Sequence, residues 1–563
     1  MFRAVMDLGG TSSAAAIVPS AVGVRATLLA AMLFLAGWSC SATVPLNSRA
    51  EDGGAREAGR PLAPRDAGPP TISLPDVGAA TPDAPPPAIT CGSSGLGNAG
   101  CSFYAAEPPL VTDGGGCYAL MVVNPGTRPA KLNLGRAGES FAMAQVARLP
   151  RGSGPTLAYQ PYNEVAGLAP GDVAIIFLAG KRPLGEMGVM TAPEATNPTT
   201  CPAGIATAVA VSTNHNPGSH VGQAFHLTSD HPVIAYDVNP YGGVRSYVTS
   251  SSLLVPSENW SANYVAVVPR QPKPVTRLDW REFAKYGRDT QTFVLVVARE
   301  DDTMVTLRAP VPIEGGGGVP VAEGGQPMRI HLKAGQFAQV MERRPLQDLS
   351  PGLSGTLISS DKPVGVIGGT PCMYVPTGTI ACDAVHQQVP PLSTWGHEHA
   401  AVRYRDRLSG TNEAVPWQIV AAVNDTVLTY TPSPPTPYEP PGGLPPLPIP
   451  TRLSAGETVQ FWTNEPFVVR SQDAAHPIHL AGMMTGGAFM FETRIGYPGG
   501  AGDPEFVNVV PTDQYQTDTT FFTDPTYSET SLVVVRKPGS DGRFADVKLA
   551  CAAAPIARWS QVG

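Results

Sequence analysis

Two short stretches contain closely spaced histidines, which are the most common metal ligands among protein side chains. The stretches NHNPGSHVGQAFH and WGHEHAAVRYRDR contain the candidates His215, His220, His226, His397, Glu398 and His399. In a strand, His397 and His399 would share one face, because successive side chains point to opposite faces. Neither stretch fixes a third ligand by its spacing, so we interpret these residues as loop or surface positions and predict no metal site and no cofactor.

The sequence contains none of the common catalytic signatures. There is no G-x-S-x-G nucleophile motif, no H-E-x-x-H zinc motif and no glycine-rich phosphate-binding loop. The acidic stretch REDDT resembles a calcium loop only loosely, and a turn rich in aspartate is the simpler interpretation. We therefore predict no catalytic residues and no enzymatic activity, with a secreted metal-dependent hydrolase that uses the histidine-rich loops as the alternative.

Aromatic residues are the better candidates for a binding surface, because they carry much of the energy of recognition sites. Tyr236, Tyr241 and Tyr374 lie near the loops that follow a repeated motif, and we predict that they contact a ligand. Trp260 and Trp395 occupy equivalent places in the repeat, which favours packing in the core for these two.

The elements that position these residues belong to a unit that occurs three times. Each copy has an apolar strand, then a strand led by glycine, then the motif S-D-x-P or a variant of it, and finally a proline followed four residues later by an aromatic residue. These landmarks are Tyr118, Thr292 and Pro416 in the apolar strands, then Gly171, Gly335 and Gly456, then Pro232, Pro363 and Pro477, and last Pro256–Trp260, Pro391–Trp395 and Pro511–Tyr515. Such a repeat is typical of one structural unit that has been copied.

The S-D-x-P motif stands directly before a run of apolar residues, in LTSDHPVIAY and LISSDKPVGV. An aspartate can cap a turn with its side chain, and proline fixes φ before a strand enters a sheet. We therefore predict that Asp230 and Asp361 are residues of strand-entry turns and act in folding rather than in ligand binding.

Short strands separated by turns predict an all-β fold of tandem, repeated sandwich-like units. The composition agrees, with 60 glycines, 60 prolines and only 15% charged residues among 563. We predict units at 91–290, 291–415 and 416–563, and a further apolar strand near Thr530 either completes the third unit or begins a truncated fourth. A single closed assembly of the repeats is the alternative to a tandem array.

The N-terminal region has the layout of an export signal. Arg25 precedes an apolar run from Leu28 to Leu35, which is too short to span a bilayer comfortably and ends in small residues and Cys40. We predict a signal peptide over 1–40, with Cys40 carrying lipid as in bacterial lipoproteins, or ordinary cleavage and secretion. Residues 41–90 are rich in proline, alanine and glycine, which predicts a disordered linker.

Export would allow disulfide bonds. We predict the pairs Cys91–Cys101, Cys117–Cys201 and Cys372–Cys382, which leaves Cys551 over if Cys40 is lipidated. The net charge of −8 gives no reason to expect a nucleic-acid partner. We predict contact with a membrane only through the N-terminal lipid, and localisation at the cell envelope, as an outer-membrane lipoprotein, or outside the cell.

The order of the landmarks resembles that of a known domain. The stretches FVLVVAREDDTMVTL, LKAGQFAQV, GTLISSDKPVGVIGG and CDAVHQQVPPLSTWG are similar to the N-terminal domain of the IgG Fc-binding protein of mucus, which also occurs in bacterial secreted proteins. The resemblance extends from Cys117 to Cys551 and is strongest at Thr292–Trp395. It implies a non-enzymatic binding or adhesion module whose partner is an unknown extracellular protein or glycan, and a structural surface spacer is a further alternative.

Overall fold

The computed structural model of the chain describes residues 2–7, 91, 97–110, 116–180, 200–212, 214, 218–243, 249–270, 291–343, 352–376, 382–407, 412–439, 446–486, 502–527 and 530–563. Cys40 and the predicted linker at 41–90 lie outside these residues, as does His215. The first strand is β1 (Phe2–Asp7). Within the described ranges, no helix has the length and apolar character needed to cross a membrane.

The first unit is built on a nine-stranded antiparallel sheet. Its strands are β2 (Ala99–Ala105), β3 (Tyr118–Val123), β4 (Leu132–Arg136), β5 (Glu139–Phe141), β6 (Ala147–Arg151), β7 (Ala158–Pro161), β8 (Val173–Ala179), β10 (Phe225–Asn239) and β11 (Ser250–Leu253). The strand β9 (His220–Gln223) lies between β8 and β10 in the chain but pairs in the sheet of the second unit. The strands of the first unit run in the order β5-β4-β10-β3-β8-β6-β7, and β2 and β11 also pair with β10. A single turn of helix, α1 (Met143–Val146), precedes β6.

The second unit has the same design. Its strands are β12 (Ser261–Val265), β13 (Phe293–Ala298), β14 (Thr303–Arg308), β15 (Ile313–Glu314), β16 (Pro327–Leu332), β17 (Gln336–Glu342), β18 (Leu357–Met373) and β19 (Asp383–Val389). They run in the order β15-β17-β13-β18-β14-β16, while β12 and β19 pair with β18 and β9 pairs with β17.

The third unit has two four-stranded sheets. Its strands are β20 (Glu398–Ala401), β21 (Val415–Ala421), β22 (Thr426–Thr431), β23 (Arg452–Leu453), β24 (Thr458–Thr463), β25 (Phe467–Ser471), β26 (Ile478–Met484) and β27 (Glu505–Val509). The orders are β20-β25-β22-β23 and β24-β21-β26-β27. The last strand, β28 (Ser531–Arg536), pairs with β1 and not with a described strand of the third unit.

In the first two units, one long strand joins the two layers of a sandwich. The first half of β10 pairs with β4 and its second half with β3, and β18 pairs in the same way with β14 and then β13. In the third unit, inserted residues divide this strand into β25, which pairs with β22, and β26, which pairs with β21. The apolar residues between the layers form the core, so the predicted all-β, sandwich-like fold is confirmed.

The glycine landmarks have the same conformation in all three copies. Gly171, Gly335 and Gly456 have φ of 76°, 75° and 73°, a region that residues with a Cβ rarely adopt. Their N–H groups donate to the carbonyl oxygens of Asn124, Ala298 and Ala421. Each glycine therefore closes the turn that leads the chain back beside the central strand of its unit.

The proline–aromatic landmarks form equivalent 3-10 helices at Ser257–Asn259, Leu392–Thr394 and Thr512–Gln514. Trp260 and Trp395 are buried beside the first two, and each indole N–H donates to a main-chain carbonyl 3.1 Å away. The predicted core role of these two tryptophans is confirmed.

The strands that follow the first two of these helices pair with the next unit. β12 pairs with β18, and β20 pairs with β25. The predicted boundaries after residues 290 and 415 therefore leave β12 and β20 in the preceding units. Both strands pair in the sheets of the following units. We propose instead that the units divide at the 3-10 helices.

Each unit contacts the other two. The Ser250 hydroxyl in β11 accepts from the N–H of His386 in β19 at 3.1 Å and lies 3.2 Å from Glu505 Oε1 in β27. Asn508 in β27 donates to the carbonyl of Gln388 in β19 at 2.9 Å. β11, β19 and β27 thus meet at one place, which we call the junction, and the repeats form the closed arrangement rather than an open array.

Three disulfides join the pairs Cys91–Cys101, Cys117–Cys201 and Cys372–Cys382. The first and third each close a short segment next to a long strand. The second holds the 200–205 segment against the start of β3. These are the pairs expected from the sequence.

Candidate functional site

The histidines of the first stretch make structural contacts. The His226 ring lies 2.9 Å from the Ser102 hydroxyl and stacks on the Tyr104 ring at 4.2 Å between centroids. Burial lowers the pKa of His226, which keeps the ring neutral at physiological pH. His220 Nδ1 lies 3.0 Å from the carbonyl oxygen of Gly218. The structure therefore places these two side chains in separate contacts.

The second stretch is part of β20. His399 is buried, and its two ring nitrogens each lie 3.0 Å from a carbonyl oxygen, of Val509 and Ile478. Glu398 points to the other face and pairs with Arg470 and Thr512. Among the described residues, no group of three His, Cys, Asp or Glu side chains could hold a metal ion.

The S-D-x-P motif lies inside a long strand and not in a turn that precedes one. Asp230 Oδ1 accepts from the N–H of Lys131 at 2.7 Å, and Asp361 Oδ1 accepts from that of Met304 at 2.8 Å. In the third copy, Gln472 Oε1 accepts from Val427 N–H at 2.8 Å. The prediction of a strand-entry turn is therefore wrong. In each copy the side chain of this residue accepts from a main-chain N–H at the start of a neighbouring strand. In the first two copies it does so where the long strand passes from one layer to the other.

We expect Asp361→Ala to lower the free energy of unfolding by about 1 kcal/mol, the usual contribution of such a hydrogen bond, and Asp230→Ala to do the same. Asp361→Asn keeps an oxygen acceptor and should retain most of the stability. Urea unfolding of the three variants would measure these differences. Unchanged stability of Asp361→Ala together with lost ligand binding would contradict a folding role.

The predicted tyrosines occupy different environments. Tyr241 is 1% exposed, its hydroxyl lies 2.8 Å from that of Tyr159, and its ring meets Phe177 edge to face. Tyr236 is half-buried and packs against the same cluster. Tyr374 is half-buried in the second unit, after β18. The burial of Tyr241 corrects its predicted ligand contact and assigns it to packing, which leaves Tyr236 and Tyr374 as surface candidates.

The main polar cluster that sequence reasoning missed lies at the junction. His386 Nε2 is 2.9 Å from Asp237 Oδ1, and both side chains are at most 1% exposed. Asp237 also accepts from the Tyr118 hydroxyl and the Ser252 N–H, each at 3.1 Å. Burial and the charge of Asp237 raise the pKa of Tyr118 well above its usual value, so the phenol remains a donor. An aspartate within the apolar run VIAYDVN is the signal that could have revealed this cluster.

The residues Ser250, His386 and Asp237 are of the types found in a serine-hydrolase triad, but their geometry differs from one. In a triad, the serine hydroxyl bonds to the histidine ring, which takes its proton. Here the Ser250 hydroxyl accepts from the main-chain N–H of His386. All three residues are buried, so the cluster joins the first two units and does not present a nucleophile.

Carboxyl groups gather beside the junction. Burial raises the pKa of Asp383 well above its usual value, and the charges of Asp503 and Glu505 raise it further. Burial raises the pKa of Asp503 to about 6, against the opposing effect of the Arg407 charge. Gly502, at φ +89°, lets the chain pass Arg407, since a Cβ at this residue would lie 2.0 Å from the guanidinium.

The raised pKa of Asp503 predicts a loss of stability as the pH rises. An unfolded aspartate ionises near pH 4, whereas the folded Asp503 keeps its proton to about pH 6, so the stabilisation present below pH 4 is lost between about pH 4 and 6. Because the side chain is half-buried, we expect about 1–2 kcal/mol. Asp503→Asn should be more stable than the wild type at pH 7, by urea unfolding from pH 4 to 7. Identical pH profiles of the two proteins would contradict this.

Comparison with protein-family models matches residues 250–563 to the family described as IgGFc binding protein. This chain belongs to that family. The matched segment begins at the first residue of β11 and includes the second and third units with their part of the junction. No curated protein and no solved structure matches the chain. The description of this family names a binding protein, which suggests that the chain contains a binding module.

Proposed function

We propose that the protein is a non-enzymatic binding or adhesion module that acts outside the cell or anchored to the cell envelope. The family match over 250–563 carries this proposal. The polar junction supports it, because its serine, histidine and aspartate are buried in contacts between units. The three disulfides agree with an oxidising compartment.

The proposed partner is an extracellular protein or a glycan that contacts Tyr236 and Tyr374. Aromatic side chains suit both partners, since their faces pack on apolar groups while the hydroxyl makes hydrogen bonds. Both residues are half-buried, which limits the side-chain entropy that is lost when a ligand binds.

Arrays of glycans and of extracellular proteins, including IgG Fc, would test the proposal with the purified chain. A selected ligand should bind Tyr236→Ser or Tyr374→Ser at least tenfold more weakly, while Tyr241→Phe, in the core, keeps its affinity. An absence of binding above background on every array would count against a binding function.

The proposed anchor is a lipid on Cys40. If it is present, Cys40→Ala should move the protein from the membrane fraction to the soluble fraction, because one substitution removes the acyl chains. Cell fractionation with immunodetection measures this, with Cys551→Ala as the matched cysteine control. A Cys40→Ala protein that still sediments with membranes would contradict lipid anchoring.

A further inference from the structure

The connection between β22 and β23 in the third unit is rich in proline and exposed. It is described at residues 432–439 and 446–451. We call 432–439 and 446–450 the proline arms, and seven of these thirteen residues are proline. Tyr438 and Leu447 are 44% and 39% exposed, among the few large apolar side chains of the described surface at this level. The arms therefore present apolar groups to solvent.

The main chain of the arms is held at its base. The N–H of Tyr438 donates to the carbonyl of Trp462 at 2.8 Å, and the N–H of Thr436 donates to Glu465 Oε2 at 3.1 Å. On the other arm, the Tyr430 hydroxyl donates to the carbonyl of Pro450 at 2.7 Å. The arms are thus fixed to the third unit, while Pro434, Pro437, Pro446 and Pro448 are exposed.

The same connection in the other units shows that the fold does not need these arms. In the first unit, Ala137 and Gly138 alone join β4 to β5. In the second unit, the longer segment between β14 and β16 buries apolar side chains in the core, namely Val311, Ile313 and Val319. In the proline arms, Pro435 is buried and Ile449 packs against the core of the third unit.

Proline-rich chains have a defined recognition chemistry. The ring fixes φ of each proline, and the residue before a proline is restricted to extended conformations, so such a chain favours the polyproline II helix. This helix is already ordered before binding, and aromatic-lined grooves recognise it at a low cost in entropy. Arms that are exposed, anchored and not needed for the core match these requirements.

We propose that the proline arms are a docking segment for a protein domain with an aromatic-lined groove that reads polyproline II chains. Tyr438 and Leu447 would extend the contact beyond the prolines. The proposal goes beyond the binding function above, because here the chain is the recognised partner, and it does not depend on Tyr236 or Tyr374.

Purified SH3 and WW domains serve as probes, titrated into the full chain by calorimetry. We expect at least one probe to bind the wild type, and to bind Pro434→Ala/Pro437→Ala or Pro446→Ala/Pro448→Ala at least tenfold more weakly. Pro310→Ala/Pro320→Ala, two exposed prolines of the corresponding connection in the second unit, is the matched control and should bind as the wild type does. Melting temperatures verify that all variants are folded.

Two results would overturn the proposal. The first is an absence of binding of either probe to the wild type. The second is unchanged affinity in both arm variants, which would place the contact elsewhere on the chain. Because the array experiment uses other ligands and other residues, its outcome is independent of this one.

Discussion

Asp237→Ala is expected to lower the free energy of unfolding by about 3–5 kcal/mol, because it leaves several buried hydrogen-bonding groups without their partner, at about 1–3 kcal/mol each. The substitution would leave His386, the Tyr118 hydroxyl and the Ser252 N–H without their partner, and these three residues are at most 2% exposed. Since His386 belongs to the second unit, contact between the first two units should weaken as well. Urea unfolding, with limited proteolysis at the junction, would measure both effects.

The matched control is Asp172→Ala. Asp172 forms an ion pair with Arg151 at 3.1 Å, and the two side chains are 31% and 42% exposed. Such surface pairs contribute at most about 1 kcal/mol. A loss below 1 kcal/mol for Asp237→Ala, equal to that of the control, would show that the junction pair does not stabilise the closed arrangement.

Arg407→Met is expected to destabilise the third unit by a similar amount, about 3–5 kcal/mol. The guanidinium pairs with Glu413, and the two side chains are 6% and 0% exposed. It also donates to the carbonyl of Thr485 at 2.6 Å. Methionine fills much of the volume but leaves the Glu413 carboxylate buried without its cation, which is the costly state.

The double variant Arg407→Met/Glu413→Leu tests this explanation, because it removes both charges and should recover a large part of the loss. Arg452→Met is the surface control, since Arg452 and Asp425 pair at 65% and 79% exposure. If the double variant were less stable than Arg407→Met, unpaired charge would not be the cause. Thermal unfolding of the four proteins decides between these outcomes.

Asp503, beside the junction, should also make the stability of this protein depend on pH. Asp503, whose pKa is about 6, lies near Arg407, so the Arg407→Met variant loses the charge that favours the ionised carboxylate. The pKa of Asp503 should therefore rise further in that variant.

The local design of each unit could be predicted from the sequence. Apolar runs such as Phe293–Ala298 predict buried strands because both faces of a central strand are covered. Gly335 and its two counterparts predict a tight turn because only glycine adopts positive φ without strain. The cysteine spacing predicted two of the disulfide pairs, Cys91–Cys101 and Cys372–Cys382, because each closes a short segment. These features depend on neighbours in the chain.

The tertiary structure alone decided what distant residues do. Asp237 and His386 are 149 residues apart, and nothing in either stretch of sequence indicates that they pair. The S-D-x-P aspartates cap strands 57 or 99 residues away, so a motif that looks like a local turn has a partner in another strand. Tyr241 is of a residue type that is common in binding sites, but its side chain packs in the core. The closed arrangement follows from contacts among β11, β19 and β27. The strength of these contacts depends on the burial of the groups and on the charge of their neighbours, and only folding brings those neighbours together.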